Sequence, residues 1–164
     1  MSAYELAQLN IARMIGTLES PRMADFVANL ERINGLAESS PGFVWRLKTE
    51  AGDATALRPL GDDTLINVSV WRDVAALNEY VYRSEHVQFM RRRKEWFQRM
   101  REAFVVLWWI PQGHRPTVAE AIARLELLRA KGPTEAAFTF RHAFRPPDAA
   151  QPGAPFAFGD ECPA

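Results

Sequence analysis

Cysteine is nearly absent from this 164-residue chain: Cys162 is alone and can form no internal disulfide. A lone thiol fits a reducing, cytoplasmic setting. An excess of charge of one sign is also missing, because twenty basic residues balance twenty acidic ones. The mean field therefore offers nothing to nucleic acid or to an anionic membrane. No apolar run approaches the roughly 20 residues of a membrane span, and none near the N-terminus resembles a signal peptide. The chain also lacks a Gly-rich phosphate loop, a nucleophile elbow, a Cys pair and a His-Glu-x-x-His spacing. Three His and one near-terminal Cys do not make a structural zinc set. What remains is 48% apolar and 24% charged, an ordinary globular composition long enough for one well-buried core.

Periodicity orders the elements. Tyr4 to Met14 reads as a strand, and Ser20-Pro21 as an N-cap with proline at the first helical position. Apolar residues from Met23 to Leu36 recur every three or four positions, predicting a helix over residues 21–38 that stops at Ser39-Ser40-Pro41-Gly42. Phe43 to Lys48 alternates as a strand, with Phe43, Trp45 and Leu47 on one face. An irregular connection rich in Gly, Pro and Asp leads to a third strand, Thr64 to Trp71. Asp73 caps a helical pattern that runs through Met100, with a break near Arg83-Ser84. Phe104 to Ile110 reads as a buried strand, Pro116-Thr117 starts another helix closed by Gly132-Pro133, and Ala137 to Phe144 suggests a short closing strand.

The order β-α-β-β-α-β followed by a helix predicts an α+β, ferredoxin-like fold over residues 1–145. Residues 146–164, rich in Pro, Gly and Ala, predict a flexible tail. A four-stranded sheet with helices on one face leaves the other face apolar and bare. Two copies packed sheet to sheet would cover it, so a homodimer is expected.

The residues also carry a resemblance. Trp71-x-Asp73-x-x-Ala76-Leu77-x-x-Tyr80 followed by Ser84-x-His86 resembles the dimeric αβ-barrel superfamily of antibiotic-biosynthesis and heme-degrading mono-oxygenases. Further stretches resemble the uncharacterised domain-of-unknown-function family 3291 within it. These are Leu6-Ala7-Gln8-Leu9-Asn10, Ser40-Pro41-Gly42-Phe43-Val44-Trp45-Arg46, His86-x-x-Phe89-Met90-Arg91-Arg92-Arg93-x-x-Trp96-Phe97, Leu107-Trp108-Trp109-Ile110-Pro111 and Gly113-His114-Arg115-Pro116-Thr117. The resemblance covers about residues 4–145 and implies a ligand held between the sheet and its two helices.

It also implies candidate roles. Asn10 resembles the asparagine that steers the distal ligand in heme-degrading relatives, and Tyr80 falls where those relatives carry a tryptophan. His86 lies about one helical turn before their heme-ligating His. Asn67 and Trp71 resemble strand residues of cofactor-independent quinone-forming mono-oxygenases. Chemistry adds the rest: His86 is the candidate base, with an unperturbed pKa near 6.5. Arg93 or Arg46 would hold an anion, Asn67 would bond a carbonyl, and Trp71 with Trp45 would form apolar walls. Helical steps from His86 to Met90, Arg93 and Phe97 put those four on one face.

The expected activity is metal-free mono-oxygenation of a small aromatic or polyketide-like molecule, with His86, Asn67, Trp71 and Arg93 catalytic. Asn10, Trp45, Arg46, Tyr80, Met90 and Phe97 are expected to bind the substrate. The alternatives are a heme protein with His86 or His114 as axial ligand, and a non-catalytic small-molecule carrier. The plainer reading makes His86 a structural residue, Arg91–Lys94 a solvated face, and His114 a group that orders its loop.

Overall fold

The computed structural model describes residues 2–150 and 155–156. Four strands, β1 (Tyr4–Arg13), β2 (Phe43–Arg46), β3 (Thr64–Trp71) and β4 (Val105–Pro111), form one sheet in the order β2-β3-β1-β4. Every pairing is antiparallel. β3 lies between β1 and β2, so the first β-α-β unit is split, as the ferredoxin-like pattern requires. The protein has the expected α+β fold.

The helices are α1 (Ala24–Ser39), α2 (Val74–Arg83), α3 (His86–Arg91), α4 (Arg93–Trp96) and α5 (Val118–Lys131). Sequence signals explain several of their ends. Asp73 Oδ1 accepts the Ala76 N–H at 2.8 Å, and Thr117 Oγ1 accepts the Glu120 N–H at 3.1 Å, so both caps satisfy orphan amides. Ser20 departs from expectation: its hydroxyl donates to the Thr17 carbonyl at 2.7 Å, and Pro21–Met23 form a 3-10 turn before α1.

The helical pattern through Met100 is cut into three pieces that end at Trp96. Ser84 has an extended backbone, and its Oγ accepts the His86 N–H at 3.1 Å, which starts α3 afresh. After Trp96 the chain turns extended and pairs with the end of β1. The Ile15 N–H reaches the Trp96 carbonyl at 2.9 Å, and the Gln98 N–H reaches the Arg13 carbonyl at 2.8 Å. Pairing with a sheet edge here outweighs local helical preference.

Alternation assigns the faces. Ala7, Leu9 and Ile11 of β1 join Val68, Val70, Val106, Trp108 and Ile110 on one side. The premise of a bare sheet face is corrected here, because Ala121, Leu125 and Leu128 of α5 close over those residues. Leu9, Val70, Val106 and Trp108 are fully buried within a single chain. The cover for which a second copy was expected is supplied by the chain's own helix.

The opposite face carries α1 and α2 and does not close into a single core. Leu6, Trp71, Leu77, Leu107, Phe138 and Phe140 cluster at one end. Ala12, Met14, Met23, Phe26, Leu65, Trp96 and Phe97 cluster at the other. Between them the sheet presents Gln8, Asn10, Asn67 and Ser69. Amides there cannot seal against aliphatic helix faces without leaving polar groups unpaired. That gap is the site.

Downstream of α5, Phe138 makes a single bridge to Leu107 where a short strand is expected, and Ala143–Phe144 (β5) pairs with Pro155–Phe156 (β6). Contacts continue beyond residue 145. The Asp148 carboxylate accepts from Ser2 Oγ at 2.7 Å and from the Ala3 N–H at 2.6 Å. The rest of the expected tail, including Cys162, lies outside the described residues.

One glycine is sterically obligatory. Gly42 has φ of 83°, and a Cβ there would sit 2.5 Å from Ala76 Cβ, under the start of α2. Its carbonyl also accepts the Arg72 N–H at 2.7 Å, so the turn cannot drift away. Left-handed strain of ~1–2 kcal/mol and overpacking of ~1–3 kcal/mol add, giving about 2–5 kcal/mol for Gly42→Ala. A denaturant titration is expected to show that loss with an unchanged slope.

Candidate functional site

A cavity of about 230 Å³ lies between the helix-side face of the sheet, α1–α4 and the loop after β2. Its floor is an amide row across the two central strands. Gln8 Nε2 donates to Asn67 Oδ1 at 2.7 Å and to Ser69 Oγ at 2.8 Å. Asn10 Nδ2 donates to Gln8 Oε1 at 3.2 Å and to Asn67 Oδ1 at 3.4 Å. The Trp71 indole N–H donates to Ser69 Oγ at 2.9 Å, which ties the row to the aromatic wall. Asn67 Oδ1 is thus saturated, while its Nδ2 has no protein acceptor among the described residues. Asn67 is solvent-exposed although β3 is a central strand, so the cavity opens above it.

Aromatic stacking shapes the wall at the Trp71 end. The Tyr80 ring stacks on Trp71 at 5.0 Å between centroids and meets the His86 ring at 4.7 Å. Tyr80 Oη donates to the Ile33 carbonyl at 3.3 Å, which fixes the ring against α1. Burial raises the Tyr80 phenol well above its ordinary pKa, with a smaller opposing pull from Arg46, so it stays protonated.

His86 sits at the first turn of α3. Its Nδ1 lies 3.2 Å from the Val81 carbonyl, and a carbonyl can only accept, so Nδ1 carries the proton. Nε2 then keeps its lone pair and has no protein partner among the described residues. Burial lowers the imidazole pKa below 6.5, with the Val81 bond opposing more weakly. The result is a neutral, oriented imidazole with a free basic nitrogen beside a cavity.

Arg93 occupies the other end. Its guanidinium lies 4.6 Å from the Phe104 ring centre and 5.5 Å from that of Phe97, and Nη2 donates to the Ile11 carbonyl at 3.4 Å. Burial lowers its pKa. It has no carboxylate partner among the described residues. Arg46 differs, because its Nε donates to Glu38 Oε1 at 2.7 Å and its Nη2 to the Gly52 carbonyl at 2.7 Å. Among Arg91–Lys94, Arg93 is the cavity residue; Arg92 instead pairs with Asp25 and Glu95, each at 2.7 Å.

Nine of the ten expected residues line this one cavity: His86, Asn67, Trp71, Arg93, Asn10, Arg46, Tyr80, Met90 and Phe97. Trp45 does not. Phe43 pairs with Trp71 while Trp45 pairs with Val70, and the intervening bulge at Val44 turns the indole to the α5 side of the sheet. Arg46 returns to the cavity face opposite Ser69. Gln8 and Ser69 were not among the expected residues, although both lie two positions from named ones on the same strand faces. Asp53, on the loop after β2, also lines the cavity, and its Oδ1 accepts from the Thr55 N–H and hydroxyl at 2.8 and 2.6 Å.

A porphyrin does not fit here. The cavity falls below the ~300–1,000 Å³ of pockets for drug-sized ligands. The face of His86 toward α2 is taken by the Tyr80 ring. His114 is elsewhere, exposed and paired with Glu120 at 2.8 Å, where it orders its loop. No cluster of three His, Cys, Asp or Glu side chains suited to a metal ion occurs among the described residues.

Several solved structures are similar in overall form. A protein of unknown function from Nitrosomonas europaea (NE2512) is 13% identical over 70% of this chain and 95% of its own, with a TM-score of 0.44. SnoaB, a cofactor-independent oxygenase from Streptomyces nogalater, is 17% identical over 71% and 98%, with a TM-score of 0.43. PA3566 from Pseudomonas aeruginosa is 14% identical over 70% and 98%, with a TM-score of 0.45. No curated protein sequence matches the chain. Residues 5–154 match the family described as Domain of unknown function (DUF3291), and the chain belongs to that family.

Proposed function

We propose that the protein binds a small hydroxylated aromatic or polyketide-like molecule and catalyses its oxygenation without a resident metal. One observation carries the reading: the neutral, oriented His86 with a free Nε2 borders the same cavity as Asn67, whose amide N–H has no protein acceptor among the described residues. A base and an unpaired N–H donor lining one cavity are the pairing that takes a proton from carbon or oxygen and stabilises the anion left behind. His86 takes a proton from a methylene activated by a neighbouring phenol or enol. The Asn67 amide N–H donates to the oxygen on which charge develops. The carbanion then reduces dioxygen, so that the methylene and one dioxygen become a carbonyl and one water. Trp71, Tyr80 and Phe97 supply the apolar walls that favour charge transfer over solvation.

Oxygen uptake by the purified protein with a panel of hydroxyanthrones and naphthols tests this. We expect one dioxygen consumed per substrate, with a rate that rises with pH through a limb lying below pH 6.5, because burial lowers the His86 pKa. Saturable binding without uptake for every bound compound would leave a carrier. The open mouth above Asn67 favours that second reading, since it gives water a path to the cavity floor.

A further inference from the structure

The cavity has one charge that nothing among the described residues answers. Arg93 is partly buried between Phe97 and Phe104, and its one protein acceptor is a backbone carbonyl. The other cavity arginine, Arg46, is held by Glu38 and Gly52 at the β2 edge of the sheet. Asp53 lies on the loop that Arg46 holds, and Thr55 engages it. The β1/β4 side, where Arg93 meets Ile11 and Phe104, carries no carboxylate from the described residues. A guanidinium withdrawn from water without a counter-ion costs free energy that a bound anion recovers.

His86 and Arg93 stand at different places along the cavity. His86 groups with Tyr80 and Trp71 at the last residue of β3. Arg93 groups with Phe97, whose cluster includes Leu65 at the start of β3. Seven helical positions separate His86 from Arg93 through α3 and α4, a rise of roughly 10 Å at ~1.5 Å per residue. The two groups therefore meet different parts of a bound molecule.

We propose that the ligand is an aromatic acid whose carboxylate is received by Arg93, separate from the group that His86 deprotonates. The inference rests on the reading of this cavity as a small-molecule site and names its substrate class. Planar guanidinium matches planar carboxylate in two parallel hydrogen bonds. Phe97 and Phe104 hold that plane in place by packing against it. The cavity then selects against the neutral analogue of the same shape, because that analogue leaves the cation unanswered.

Calorimetric titration of the full chain with salicylate and its neutral isostere salicylamide tests the assignment. The wild type is expected to bind salicylate about 10- to 100-fold more tightly, as charge-assisted pairing supplies. In Arg93→Gln that ratio is expected to fall to about one, while Arg93→Lys retains part of the preference because charge remains without the fork. Circular dichroism identifies any variant that fails to fold, and Arg93→Lys then decides the matter. An equal affinity for the two probes in the wild type, a ratio unchanged in Arg93→Gln, or no binding of either probe at millimolar concentration would overturn the proposal. His86→Gln separates this outcome from the oxygenation reading. It should keep the salicylate preference whether or not turnover depends on the imidazole.

Discussion

Oxygenation by His86→Gln is expected to fall about 100- to 10,000-fold, the range that a positioned general base contributes. Ligand affinity should change only a few-fold, because the Gln side chain fills similar space and its amide can still reach the Val81 carbonyl. The acid limb of the rate profile should vanish with the imidazole. Stability follows the same proton. Burial lowers the folded pKa below 6.5, so the unfolded chain takes up the proton first as pH falls. The wild type therefore loses stability from about pH 6.5 downward, until the folded form is protonated too. That part of the acid sensitivity should be missing from His86→Gln in melts compared at pH 5 and pH 7. A full-rate His86→Gln enzyme would return the imidazole to a purely structural role.

Cutting Leu125 and Leu128 to Ala is expected to remove most of the protein's stability. Both side chains are buried where α5 covers Val106, Trp108 and Ile110, and neither is more than 4% exposed. A buried Leu→Ala change costs about 2–5 kcal/mol, so the pair threatens a total of ~5–15 kcal/mol. Unfolding with exposed apolar surface is the expected outcome, read by denaturant titration and dye binding. The experiment also bears on oligomeric state. If a second copy rather than α5 covered this sheet face, the double variant would stay folded and its association would not change. Light scattering of the wild type alongside it separates the two arrangements.

The element order, the antiparallel split β-α-β plan and the approximate place of each helix were legible from residue patterns. Those features depend on local spacing: alternation from Phe43 on, period three to four in α1, and caps at Asp73 and Thr117. Of the nine cavity residues, Asn10 and Asn67 were legible as amides on strands, which signal a partner or a ligand, and Met90, Arg93 and Phe97 by helical steps from His86, while the resemblance implied Trp71, Tyr80 and His86. Trp45 was misplaced because a single extra residue at Val44 turns its side chain to the other face, and pairing with β3 creates that bulge.

Tertiary structure alone decided the role of α5. Its amphipathic pattern says that one side is buried without saying against what, and its packing covers the sheet face that was expected to be bare. It also decided which arginine lacks an anion. Arg46 and Arg93 look alike in a sequence, but Glu38 on α1 reaches only the first. Long-range charge pairing is set by where helices land on the sheet, and no local spacing of residues encodes that distance.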